Sequence, residues 1–137
     1  MGNFYKDKNV LVTGGTGFIG TNLIIRLLNM GSNITSTKYN KDPQINDDRI
    51  TWLKGDLRDN DFCAKACKNQ DYVFMCAANT SGAAIMEYTP LEHVTPNVIM
   101  NALMLEASYR AKVKKFLFVS SGIVYPLSDS LNYLILH

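Results

Sequence analysis

Short apolar runs alternate along the chain with longer segments of helical periodicity. The runs are typical of buried strands, and we predict five of them, at residues 9–13, 33–37, 50–54, 71–76 and 116–120. The segments between them predict a helix over 18–30, a helix that GDLRDND at 55–61 leads into and that runs through about 68, and a helix from about 96 to 111. Strands that are apolar throughout and alternate with helices indicate a parallel sheet with both faces covered. The pattern therefore predicts a doubly wound α/β fold.

The first predicted helix has an amphipathic pattern. Its apolar residues at 19, 23 and 27 recur four positions apart, which places them near one face together with the leucine at 28. We expect that face to consist of Ile19, Leu23, Leu27 and Leu28. Gly31 follows the helix as a typical C-terminal glycine.

Three glycines set three apart separate the first strand from this helix, in the run LVTGGTGFIG at 11–20. In this context Gly14 allows a tight turn, Gly17 lets a pyrophosphate approach the main chain, and Gly20 lets the helix pack closely. The N–H groups at the helix start, around Phe18 and Ile19, would face the phosphates. A glycine-rich turn of purely structural use is the alternative.

Composition and charge narrow the class of protein. The chain has 137 residues, of which 47% are hydrophobic, enough for the core of one domain. The formal net charge is +2 and the 14 basic residues are scattered, which argues against nucleic acid or a membrane surface as the partner. With no apolar stretch of about 20 residues and no signal-like start, we expect a cytoplasmic protein.

The three cysteines fit a reducing compartment better than a disulfide framework. Cys63 and Cys67 lie one helical turn apart, but no His or further Cys is spaced to complete a metal site with them. We therefore expect this pair to pack in the core, and we expect no metal site.

Five motifs follow one another in an order that is typical of one family. TGGTGFIG at 13–20, GDLRD at 55–59, MCAAN at 75–79, Asn97 and SSGIVY at 120–125 together resemble the extended short-chain dehydrogenase/reductases. Within them the resemblance is to the NAD(P)-dependent epimerase/dehydratase group, which acts on nucleotide sugars. It covers essentially residues 8–126 and implies a Rossmann domain.

The resemblance assigns cofactor-binding roles to particular positions. Those implied to bind the dinucleotide are Gly14, Thr16, Gly17, Phe18, Ile19, Gly20, Asp56, Leu57, Ala77, Ala78 and Asn97. Asp56 would bond the adenine and Leu57 would flank it, while the two alanines would lie beside the cofactor. Each residue also has a structural alternative, because Asp56 alone could be a helix cap, the alanines could be packing, and Asn97 could be a turn or capping residue.

The choice between NAD and NADP depends on the residue that ends the second strand. An acid there binds the ribose hydroxyls of NAD, whereas a cation attracts the 2′-phosphate of NADP. Counted from Gly14 as in the family, the position is Lys38, and no Asp or Glu stands between Gly31 and Lys41. We therefore favour NADP, with NAD still possible if Lys38 is only a solvated strand-end lysine.

The family's catalytic residues are only partly present. Ser121 takes the place of the serine that hydrogen-bonds the reacting oxygen, but no Tyr-x-x-x-Lys follows it. The segment from Tyr133 to His137 comes too soon after Ser121 and has histidine where the motif has lysine. SSGIVYP resembles the GDP-fucose synthase branch, yet Ile123 stands where that branch has an acid/base cysteine. We expect an incomplete Rossmann domain over 1–126 and an atypical tail over 127–137. The substrate domain and the usual dimer helix would be missing, which leaves self-association uncertain.

Two interpretations of function stay open. In the first, the chain is the NADP-binding part of a nucleotide-sugar epimerase, dehydratase or reductase, and it does not turn over alone. The full enzyme would move a hydride between the sugar and the nicotinamide. In the second, the chain is complete and acts without catalysis, as a dinucleotide-sensing or partner-binding module.

Overall fold

The computed structural model describes residues 4–80 and 88–120. Five strands and three helices lie within these ranges. In chain order they are β1 (Asn9–Thr13), α1 (Phe18–Asn29), β2 (Asn33–Lys38), β3 (Ile50–Lys54), α2 (Asn60–Cys67), β4 (Tyr72–Met75), α3 (Pro90–Arg110) and β5 (Lys115–Phe118).

The five strands form one parallel sheet in the order β3-β2-β1-β4-β5. β1 lies at the centre, and the chain leaves it in one direction to β2 and β3 and in the other to β4 and β5. Apolar side chains form one buried cluster with α1 on one face and a second with α2 and α3 on the other. The predicted doubly wound α/β fold is therefore confirmed.

Alternate residues of β1 supply the two clusters because successive side chains of a strand point to opposite faces. Val10 and Val12 belong to the α1 cluster, whereas Leu11 belongs to the cluster of α2 and α3. All three side chains are fully buried. The central strand thus carries an unbroken apolar run, as expected of a parallel strand covered on both faces.

The buried face of α1 differs in part from the predicted one. Leu27 and Leu28 are buried as expected, but Ile19 is 51% exposed, and Ile24 takes its place with no exposed surface. Gly20 leads this face because it packs directly against the Gly14 carbonyl. The stripe that begins at position 20 continues through 24, 27 and 28, and this turns Ile19 toward solvent.

α3 begins at Pro90, and the predicted start at Pro96 is wrong. Proline has no N–H, so it favours the first turn of a helix and is costly further inside. Here Pro90 occupies the first turn, and Pro96 lies within the helix. The carbonyl four residues before Pro96, that of Glu92, accepts instead from the side-chain amide of Asn79 at 2.9 Å.

Cys63 and Cys67 lie in the cluster of α2 and α3 with no exposed surface, which confirms the packing role predicted for them. The Cys63 thiol donates to the Leu57 carbonyl at 3.1 Å, and burial raises its pKa to about 12. None of the helices in the described ranges has the length and apolar character needed to cross a membrane.

Candidate functional site

A cleft of about 510 Å³ lies where the carboxyl ends of the strands meet. Its walls come from the segments that follow β1, β2, β3 and β4, and from one side of α3. The residues that line it are Gly14, Thr16, Gly17, Thr37, Lys38, Tyr39, Asn40, Lys41, Gly55, Asp56, Leu57, Arg58, Cys76, Ala77, Ala78, Asn79, Thr80, Pro96 and Met100.

The glycine loop forms the floor of the cleft between β1 and α1. Gly14 has a φ of +65°, and its N–H donates to Thr37 Oγ1 at 3.1 Å. The Gly17 N–H donates back to the Gly14 carbonyl at 3.0 Å, which closes the turn. A Cβ on Gly14 would stand only 2.7 Å from Ala77 Cα, so a residue with a side chain does not fit there. The loop therefore lies directly against the segment that follows β4.

The first turn of α1 opens toward this loop. Gly17 is the N-cap and supplies no side-chain hydrogen bond, and no acidic residue stands in the first turn. N–H groups at such a helix start have no acceptor within the helix and carry partial positive charge. The side chains of Phe18 and Ile19 point to solvent, at 87% and 51% exposed, and Gly20 is buried beside the loop.

Asp56 lies in the cleft wall after β3 as the acceptor of a dense set of hydrogen bonds. The Arg58 guanidinium donates to both of its carboxylate oxygens, and the Arg58 backbone N–H donates to Oδ1 at 2.9 Å. These contacts hold the pKa of Asp56 below 3.8. The cap of α2 is Asp59, which accepts from two backbone N–H groups, so Asp56 is not the helix cap. Leu57 is 5% exposed and also lines the cleft.

Lys38 lies where β2 ends, and its ammonium pairs with Asp42 at 3.4 Å. The Asp42 side chain is 97% exposed, so the pair stands at the solvent edge of the cleft. Lys41 and Arg58 also line the cleft. Among its lining residues, these basic side chains and Lys38 stand against one acidic side chain, that of Asp56. The charged residues that line the cleft are therefore net positive as a set.

The segment after β4 forms the wall opposite Lys38. Ala77 and Ala78 both line the cleft, the first half-buried and the second exposed. The buried hydroxyl of Thr13 holds this segment, because Thr13 Oγ1 accepts from the N–H groups of Cys76 and Ala77 at 3.1 Å each. Cys76 is the remaining cysteine, and burial raises the pKa of its thiol to about 11.

Asn97 lies inside α3, one residue after Pro96, and is not among the residues that line the cleft. Its Oδ1 accepts from the Asn79 backbone N–H at 2.8 Å, and its Nδ2 donates to the Asn79 carbonyl at 2.9 Å. Nδ2 also donates to the His93 carbonyl at 2.8 Å. The side chain thus joins α3 to the segment after β4.

Eight of the predicted cofactor residues line the cleft together: Gly14, Thr16, Gly17, Lys38, Asp56, Leu57, Ala77 and Ala78. Ser121 and the other expectations at 121–137 lie outside the described residues. Sequence reasoning missed Thr13, Thr37, Arg58 and Asn79. The threonines could have been found as polar residues at the ends of buried strands. Arg58 could have been found because it lies two residues after Asp56.

Comparison with known proteins shows the family. Residues 10–133 match the NAD dependent epimerase/dehydratase family, so the chain belongs to that family. This confirms the resemblance inferred from the five motifs.

Relatives and solved structures agree with this assignment. A Methanocaldococcus jannaschii protein described as an uncharacterized membrane protein is 35% identical over 128 residues, and the match covers 88% of this chain and 38% of that protein. GDP-mannose 3,5-epimerase 1 of Oryza sativa subsp. indica is 30% identical over 123 residues, covering 88% and 32%. The chain therefore spans about a third of the length of these relatives.

Two solved structures share the fold. Epimerase Mth375 of Methanothermobacter thermautotrophicus superposes with a TM-score of 0.83 at 28% identity, over 94% of this chain and 40% of that one. MoeE5 in complex with UDP-glucose and NAD gives a TM-score of 0.75 at 30% identity, over 88% and 39%.

Proposed function

We propose that the cleft binds a nicotinamide dinucleotide. The observation that carries this proposal is the meeting of an uncapped helix start with a loop closed by Gly14 and Gly17, at the floor of a cleft of about 510 Å³. That volume is ordinary for a site that holds a cofactor. A pyrophosphate above the loop would accept from the N–H groups of Phe18 and Ile19, where the helix dipole favours negative charge. MoeE5, which shares the fold, is in complex with NAD.

The two halves of the dinucleotide would lie on opposite sides of the glycine loop. We place the adenosine between the ends of β2 and β3, where the Asp56 carboxylate can accept from the adenine amino group beside Leu57. The nicotinamide riboside would extend along Ala77 and Ala78 toward α3. Small side chains leave room there for a ribose.

The activity that we propose for the whole protein belongs to the nucleotide-sugar branch of the family. When bound, the nicotinamide supplies a carbon that takes or gives a hydride. Ser121 would hydrogen-bond the reacting sugar oxygen, as the family resemblance implies. Since the 137 residues contain no Tyr-x-x-x-Lys, we expect this chain to bind the dinucleotide without turning over a nucleotide sugar.

A Gly17→Val change tests where the phosphates lie. Gly17 has φ −86° and ψ 168°, which a valine can adopt, and a Cβ there would meet the Gly14 carbonyl at 3.3 Å. The chain should therefore fold, while the valine side chain fills the phosphate position. We expect titrations followed by calorimetry or fluorescence to show loss of NADPH, NADH and ADP binding.

The matched control for this experiment is Gly31→Ala, at the other end of α1. Gly31 has a φ of +79°, so alanine there costs about 1 kcal/mol of stability, but it lies outside the cleft. Binding should be unchanged in this control. Retained binding in a folded Gly17→Val chain would overturn the proposed phosphate position.

We further propose that NADP is preferred over NAD. Lys38 and Lys41 stand at the end of β2 without an acidic residue at the ribose position, so a 2′-phosphate would be attracted. Asp42 competes for the Lys38 ammonium across 3.4 Å. Lys38 should therefore strengthen the preference for NADP, and Asp42 should weaken it.

Titration of Lys38 and Asp42 variants with NADPH and NADH tests this preference. Lys38→Ala should reduce the preference for NADPH about tenfold, because one charge-assisted contact is lost. Asp42→Ala should increase it. Lys54→Ala is the matched control, because Lys54 lies beside Lys38 on the neighbouring strand β3 but does not line the cleft. Equal affinities for NADPH and NADH in the unmodified chain would contradict the NADP preference.

A further inference from the structure

Pro96 leaves a gap in the hydrogen bonding of α3 next to the cleft. A proline inside a helix cannot donate to the carbonyl four residues earlier, which here is that of Glu92. Asn79 Nδ2 donates to this carbonyl at 2.9 Å, although Asn79 belongs to the segment after β4. A side chain from outside the helix therefore supplies the donor that the proline lacks.

Asn97, on α3, also binds the segment that follows β4. Its amide pairs with the Asn79 backbone in both directions, accepting from the N–H at 2.8 Å and donating to the carbonyl at 2.9 Å. The second Nδ2 proton goes to the His93 carbonyl at 2.8 Å. Both amide protons of Asn97 are thus used within the protein, and neither is available to a ligand in this arrangement.

The contact between Asn97 and Asn79 lies behind a wall of the cleft, to which Asn79 belongs. Asn79, Thr80 and Pro96 line that wall, and Ala77 lies two residues before Asn79. Thr13 holds the start of the segment through the N–H groups of Cys76 and Ala77. The contact between Asn97 and Asn79 holds its far end. The two attachments are separate and can be broken separately.

We propose that Asn97 and Asn79 are positioning residues for the nicotinamide half of the dinucleotide. They join the segment 76–80 to α3 at the gap that Pro96 creates, and Asn97 acts on the cofactor through Asn79 rather than by contact. This inference rests on the proposed function, because the cleft must bind a dinucleotide for the wall to position it. The adenine half lies at the ends of β2 and β3, beyond the reach of this attachment.

Hydrogen exchange measured by NMR on the full chain tests the attachment without a ligand. Asn97→Ala should speed the exchange of the Asn79 amide about tenfold, since its acceptor is removed. The Ala77 amide, which donates to Thr13, should not change and reports that the chain is folded. Asn101→Ala, one turn further along α3, is the matched control and should alter neither amide.

Titration with ADP and NADPH tests the effect on binding. Asn97→Ala should weaken NADPH binding about three- to tenfold and leave ADP binding unchanged, because ADP lacks the nicotinamide half. Pro96→Ala restores an N–H that can donate to Glu92, so the Asn79 side-chain amide should exchange faster and NADPH should again bind more weakly. This second variant is favourable for folding, since alanine suits a helix interior.

The outcomes separate the inference from the proposed function. If the unmodified chain binds neither ADP nor NADPH, the proposed function fails, and the positioning role fails with it. If both bind and Asn97→Ala changes neither the Asn79 exchange nor the NADPH affinity, only the positioning role is wrong. Weaker NADPH binding with unchanged Asn79 exchange would mean that Asn97 contacts the cofactor, which also overturns the positioning role.

Discussion

At the residue scale, an ion pair with several hydrogen bonds joins Asp56 and Arg58 in the cleft. A hydrogen-bonded guanidinium stabilises the ionised carboxylate, which lowers the pKa of Asp56 below 3.8. Asp56 therefore remains an acceptor for an adenine amino group across the whole neutral range. Its position after the third strand followed from the GDLRD motif, but its pairing with Arg58 depends on how the turn folds back. The motif could not show that.

The pKa of Asp56 provides a test at this scale. Arg58→Ala should raise it toward 3.8, measured by NMR titration of side-chain carboxyl carbons. The pKa of Asp56 is lower in the folded chain than in the unfolded chain. The pair therefore stabilises the fold at pH values above the unfolded-state pKa, and this stabilisation is lost as the pH falls through the folded-state pKa.

The chain offers a matched control in a second Asp-x-Arg pair. Arg49 lowers the pKa of Asp47 to about 2 through the same kind of contact, outside the cleft. Arg49→Ala should raise the pKa of Asp47 and leave that of Asp56 unchanged. An Asp56 pKa that stays low in Arg58→Ala would mean that Arg58 is not its main cause.

At the scale of elements, α1 shows how far periodicity can predict a buried face. The pattern correctly identified the helix and the burial of Leu27 and Leu28, but it placed Ile19 inside and omitted Ile24. The rotation of a helix about its axis depends on what its first turn packs against. Here Gly20 meets the Gly14 carbonyl, a contact between the helix and the loop that precedes it. The apolar spacing alone does not contain this information.

Neighbouring isoleucines on α1 give a matched pair of stability variants. Ile24 has no exposed surface, so Ile24→Ala should lower the free energy of unfolding by about 2–4 kcal/mol in a urea titration. Ile25 is 45% exposed, and Ile25→Ala should lower it by less than about 1 kcal/mol. Similar losses for the two variants would contradict the observed rotation of the helix.

At the scale of the whole molecule, the cleft follows from the strand order. β1 has β2 on one side and β4 on the other, with α1 on one face of the sheet and α2 and α3 on the other. The connections that leave the carboxyl ends therefore diverge beside β1 and open a crevice there. The same strand order brings residues from the segments that follow four of the strands, and from α3, together around one cleft.

The sequence by itself determined the types and order of the elements, the glycine loop and the family. The elements and the loop depend on local spacing and turn chemistry, and the family depends on the order of five short motifs, each of which spans only a few residues. Only the tertiary structure decided the contacts that hold the cleft together, such as the Thr13 hydroxyl on the Cys76 N–H, 63 positions away, and Asn97 on Asn79, 18 positions away. It also decided that α3 continues through Pro96, because the missing hydrogen bond is compensated by a side chain from another part of the chain.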